Sequence, residues 1–159
     1  MTDLKTRRID MRHYQCDSPE AAARIVAACL LSDGYLGADE IEALACHDIE
    51  RRLSLRPHQF PAVLQSLCED LTWSAYLDWG DACRLDPAIV VQLAADVRDW
   101  QMRRDVIWLC KEAIHADRHI SAGEAGFLRL LRAAWELPEH ADWARPREVI
   151  RLARPHRVK

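Results

Sequence analysis

The amino-acid sequence predicts an all-α fold, a single domain of six to eight helices built on two related helical hairpins. Three observations point there. Cap residues and prolines repeatedly precede apolar residues spaced three and four apart, and strand signals are nearly absent. Glycine is scarce, at 5 of 159 residues, while alanine, leucine and arginine abound, as helices favour. Two segments 84 residues apart (117 − 33) also carry the same pattern. A chain of this length buries about two thirds of its unfolded surface, so one core needs no covalent staples.

The elements follow in order. Ser18-Pro19-Glu20 supplies an N-cap, a proline at the first helical position and a first-turn acid. Ala22, Ile25, Val26, Cys29 and Leu30 then mark one apolar face, predicting a helix over 19–32. Gly34 and Gly37 interrupt it, and a second helix is expected over 38–52. A third covers 57–78, with Pro57 and Pro61 confined to its start, where missing N–H groups cost little. Asp86-Pro87 opens a helix to 97, another runs over 99–116, and Ser121 opens the next over 122–136. The expected organisation is a polar N-terminal segment 1–16, a helical domain 17–142 and a basic tail 143–159.

Composition removes several function classes. Half of the residues are hydrophobic and 30% charged, which excludes a disordered chain. The net charge of −3 is uneven: residues 145–159 carry six bases and one acid, whereas residues 1–12 carry four bases and two acids. The body between is therefore acidic and opposes a nucleic-acid platform. No secretory leader opens the sequence, and the alanine-rich stretch from Ala21 to Leu31 is too short to span a bilayer and is broken by Arg24. Six cysteines show no C-x-x-C spacing. Cys29, Cys46, Cys68 and Cys110 fall in apolar-periodic segments, as buried thiols of a reduced, cytoplasmic protein would.

The repeated element joins the end of one helix to the start of the next. Laid over each other without gaps, the copies pair Leu30 with Ile114, Asp33 with Asp117, Leu36 with Ile120, Ala38 with Ala122 and Glu40 with Glu124. They also pair Leu44 with Leu128 and Leu53 with Leu137. Asp33 and Asp117 stand at helix C-terminal ends, where the dipole disfavours a carboxylate. A cation would compensate them, and an Asx turn is the alternative. The glutamates also have two readings. Ser121-x-x-Glu124 is a capping box and Gly37-x-x-Glu40 a degenerate one, in which the carboxylates serve backbone amides. An EF-hand is excluded, because its first and third loop positions would be Cys29 and Leu31, then Ala113 and His115.

These paired, helix-flanked segments resemble the TerB-like tellurite-resistance family. The resemblance rests on Ala28, Asp33, Gly34, Leu36 and Glu40, then on Ala113, Asp117, Ile120 and Glu124, over residues 19–138. Arg118 departs from the pattern, standing where the family prefers glycine. The resemblance implies an all-α, cytoplasmic, non-enzymatic protein linked to tellurite and other stresses. It also implies that Asp33, Glu40, Asp117 and Glu124 bind a divalent cation. An all-carboxylate donor set suits Ca²⁺, Mg²⁺ or Mn²⁺; Asp39 could add a fifth oxygen, but its place reads better as an exposed first-turn acid.

Other constellations carry less. His115 and His119 are four apart, but no third ligand is spaced to complete a zinc site. Trp73, Trp79, Trp100, Trp108 and Trp135 fall in or beside helical segments and read as core, while 73–79 could alternatively form an apolar docking patch. No nucleophile elbow, phosphate loop or dinucleotide fingerprint occurs, so no enzyme is expected. The alternative to cation binding is a metal-free helical module that recruits other proteins.

Overall fold

A computed structural model describes residues 10–32, 48–75, 87–115 and 122–137. Among the described residues there are helices and no strands: α1 Pro19–Leu31, α2 Ile49–Arg52, α3 Gln59–Ala75, α4 Pro87–Ala94, α5 Trp100–His115 and α6 Ala122–Ala134. The all-α class is as expected.

The first helix organises the rest. Extended backbone at Ser18 leads into it, the Ser18 hydroxyl accepts from the Ala21 amide at 3.2 Å, and Pro19 occupies the first turn. Every residue from Ala21 to Leu30 is buried. A helix apolar on one stripe lies on a surface; one buried all round lies inside. Its five alanines (Ala21, Ala22, Ala23, Ala27 and Ala28) leave room for close neighbours. Accordingly α3 and α5 pack against α1, and α4 and α6 touch it as well.

Each neighbour buries a recognisable stripe. In α3 it is Phe60, Val63, Leu67 and Leu71, at helical spacing. Pro61 is the third residue of that helix, where its missing N–H leaves no bond unmade. In α5 the stripe is Val106, Ile107, Leu109, Cys110, Ala113 and Ile114, and Asp99 caps the helix by accepting from the Met102 amide at 2.9 Å. In α6, Phe127 and Leu131 are buried and lead to Trp135, whose indole N–H donates to the Ala94 carbonyl at 2.9 Å.

Three expectations about helix limits change. Of the helix expected over 38–52, residues 38–47 lie outside the described residues; Asp48 takes the left-handed conformation (φ 54°, ψ 56°), and one turn, α2, follows it. Aspartate tolerates that conformation better than most residues. The third helix starts at Gln59 rather than 57, after a left-handed His58. The fourth ends at Ala94 rather than 97, as Asp96 and Val97 donate three residues back, to Leu93 and Ala94.

One chain reversal occurs twice. After α2, Ser54 is left-handed and donates to Arg51, while Leu55 donates to Glu50. After α6, Glu136 is left-handed and donates to Ala133, while Leu137 donates to Arg132. Both are Schellman closures that bury the following leucine. The structure thus matches Leu137 with Leu55, 82 residues apart (137 − 55), not with Leu53. The 84-residue spacing pairs Leu30 of α1 with Ile114 of α5, and both are buried.

Fully buried positions set the stability. Leu67→Ala or Ile107→Ala should cost about 2–5 kcal/mol through lost transfer energy and the cavity left behind. Val91→Ala, at a site 56% exposed, should stay within about 0.5 kcal/mol. Urea unfolding of the three variants measures the contrast.

Candidate cation site and the polar network beneath it

Two sets of contacts fix the direction of the helices. The Asp17 carboxylate, one residue before the α1 cap, accepts from the amides of Arg98 (2.5 Å) and Asp99 (2.8 Å) at the start of α5. Asp17 also donates its own N–H to the Asp96 carbonyl at 2.8 Å. Helices α1 and α5 therefore begin side by side, and they pack together. At the end of α6, Trp135 bonds to Ala94, and the Arg103 guanidinium of α5 lies over its ring, 5.4 Å from the centroid. So α6 runs back towards the start of α5, and its own start lies at the other end.

The first turn of α6 holds Glu124, which is 1% exposed. A first-turn acid is ordinarily solvated; this one is enclosed. The end of α1 is closed by Ser32, whose N–H and hydroxyl both donate to the Cys29 carbonyl, at 3.2 and 2.6 Å. Of the four expected ligands, Asp33, Glu40 and Asp117 lie outside the described residues, as do Asp39, His119 and Ser121. Among the described residues no group of three or more His, Cys, Asp or Glu side chains is placed to hold a metal.

At the opposite end stands a network that the sequence reading passed over. Arg24 interrupts the apolar run of α1 and is 3% exposed. It donates to the Arg12 carbonyl and to the Asp96 carboxylate, both at 2.7 Å, and its guanidinium lies 4.7 Å from the centre of the Tyr14 ring. Among the described residues its Nε finds no acceptor. Burial pulls the Arg24 pKa down, and Asp96 and Tyr14 oppose that shift. Arg12 in turn clasps α3: Nε reaches Asp70 at 3.1 Å, Nη1 reaches Ser66 at 2.8 Å and Nη2 reaches Glu69 at 3.2 Å. Bonding to Asp70 raises the Arg12 pKa. The sequence did hold a signal, a lone arginine within ten otherwise small or apolar residues.

The tryptophans divide. Trp135 is core, while Trp108 is half-buried beneath Arg52, whose guanidinium sits 3.9 Å from the ring centroid. Near Arg52, Asp105 has its pKa raised by burial, against an opposing hydrogen bond from Gln101. Trp100 is 51% exposed at the start of α5, contrary to a core reading. The Trp73 side chain and all of Trp79 lie outside the described residues, and with them the 73–79 patch. Cys29 and Cys110 are buried free thiols, Cys68 is partly buried, and Cys16 is exposed; Cys46 lies outside the described residues. No described helix is long and apolar enough to cross a membrane.

No family model matches the chain, and no curated protein and no solved structure matches it.

The two backbone amides that bond to Asp17 hold its carboxyl below the usual carboxylate range. A carboxylate whose folded pKa is depressed adds stability above its unfolded pKa and loses it as pH falls through the folded value. Unfolding followed between neutral pH and about pH 2 should therefore show an acid-side loss that Asp17→Asn reduces, at some cost in stability at neutral pH.

Proposed function

We propose that the chain is a TerB-like, stress-associated cytoplasmic protein of the tellurite-resistance type. In this reading it is not an enzyme; it binds a divalent cation through Asp33, Glu40, Asp117 and Glu124. The ion would be structural or regulatory: shared by the two helix–loop–helix segments, it ties them together and steadies a surface for a protein partner. Tellurite chemistry itself is assigned to no residue.

The observation that carries the reading is the shared direction of α1 and α5. They start together, joined through Asp17, and extend about 20 and 24 Å. The last described residues of α1 and α5 then point to the same end of the bundle, where the return of α6 also brings Glu124. Glu124 is a buried carboxylate in a helix first turn, a place where an oxygen donor is held in a fixed position. Carboxylate oxygens would take one hard cation at about 2.3–2.6 Å.

Thermal melts with Ca²⁺, Mg²⁺ and Mn²⁺ test this. At a hundredfold over Kd, binding should stabilise by about 2.7 kcal/mol. For a domain of this size that raises Tm by about 5–11 °C. Asp33→Asn combined with Asp117→Asn should abolish the shift and leave the helical circular dichroism intact. The absence of a shift with every ion would favour the metal-free interaction module, for which exposed Trp100 and Val91 speak.

Glu124 separates ligation from capping. Glu124→Gln keeps an oxygen able to accept from backbone amides, so stability without the ion should change by less than about 1 kcal/mol. The cation-induced shift should nonetheless fall sharply. An unchanged shift in Glu124→Gln would assign that carboxylate to the helix cap alone.

A further inference from the structure

We infer that residues 10–17 are a detachable strap, fastened to the helical body by charge at both ends and closing over the buried guanidinium of Arg24. The strap lies across three elements. At one end Arg12 holds α3 through Asp70, Glu69 and Ser66. At the other, Asp17 holds the turn before α5 through two amides and one carbonyl. Between them, the Arg12 carbonyl takes a hydrogen bond from Arg24.

Its attachment differs in kind from that of the helices. Among residues 10–17 only Met11 and Tyr14 are partly buried; the others are exposed. The Arg12 side chain is 41% exposed, its partner Glu69 51% and its partner Asp70 13%, so salt and water reach the fastening from the Arg12 and Glu69 side. Asp17 is held left-handed at φ 60°, which a residue with a Cβ adopts only under constraint. Closure also keeps the Arg24 guanidinium from water with one nitrogen unsatisfied, a cost that release recovers. By contrast α1 is buried along ten residues. Opening of the strap therefore requires far less free energy than unfolding of the bundle, and it uncovers a cation on the central helix.

Single-residue amide exchange on the whole chain decides the matter. The reporters are the amides of Asp17, Arg98 and Asp99; the references are those of Ala27 and Ala28 in α1 and Leu109 and Cys110 in α5. The reporters should exchange faster than the references, through openings that low denaturant does not accelerate. Raising salt from about 0.01 to about 1 M, which shortens the screening length from about 30 to about 3 Å, should speed the reporters alone. Arg12→Ala should speed them about two- to fivefold although it alters the distant fastening. Reporters that exchange only with the references would overturn the strap, making 10–17 part of the global folding unit. Reporters unmoved by Arg12→Ala would overturn it too, since Asp17 would then fray alone.

Discussion

The buried positive charge of Arg24 is the constraint around which the described part of the molecule is arranged. A helix enclosed by four others can be uniformly small and apolar, and from Ala21 to Leu30 this one nearly is. The exception must have its charge met within the protein, because burying an unpaired guanidinium costs several kcal/mol. Asp96 meets it from the turn between α4 and α5, and the Arg12 carbonyl meets it from the segment before α1. Those two partners explain why the turn and the segment lie where they do. Asp17 then ties them to each other, so one charge in the core fixes the relation of α1, α4 and α5.

That relation links the two ends of the bundle. The network at the start of α1 and α5 contains no proposed ligand, yet it sets which way both helices point. The indole of Trp135 does the same for α6, by returning its end to Ala94 and Arg103. Glu124, in the first turn of α6, is thus placed by contacts roughly a helix length away. Positioning of this kind is rigid because it runs through packed helices, not through the loops themselves.

Much of the fold was legible in the chain, because helix starts are local chemistry. Ser18-Pro19 and the apolar spacing of α3, α5 and α6 can be read within a few residues. What escaped reading was decided by distant partners. Asp48, Ser54, His58 and Glu136 are all left-handed without being glycine, so no residue type announced those breaks. Asp17 resembles any polar residue near a helix start, and its partners are 81 and 82 residues away. Arg24 was visible as an interruption, but its partners Arg12 and Asp96 were not. At the candidate site, the acid type and first-turn place of Glu124 could be read; its enclosure could not, since burial belongs to the packed bundle.

The two spacings bear on the cation reading. From Leu31 to the reversal at Leu55 is 24 residues (55 − 31), and from His115 to Leu137 is 22 (137 − 115). Two residues turn a helix by about 200°, so the surplus cannot sit inside a continuous helix without reversing its buried face. In the second segment α6 runs unbroken from Ala122 to Ala134, whereas in the first the described irregularity is the left-handed Asp48. Asp48 opens α2, and the reversal after α2 delivers Leu55 to the core. In the sequence the interval from Asp33 to Glu40 equals that from Asp117 to Glu124, seven residues in each (40 − 33 and 124 − 117). The proposal of a shared cation rests on that equality, and the difference in overall segment length lies outside it.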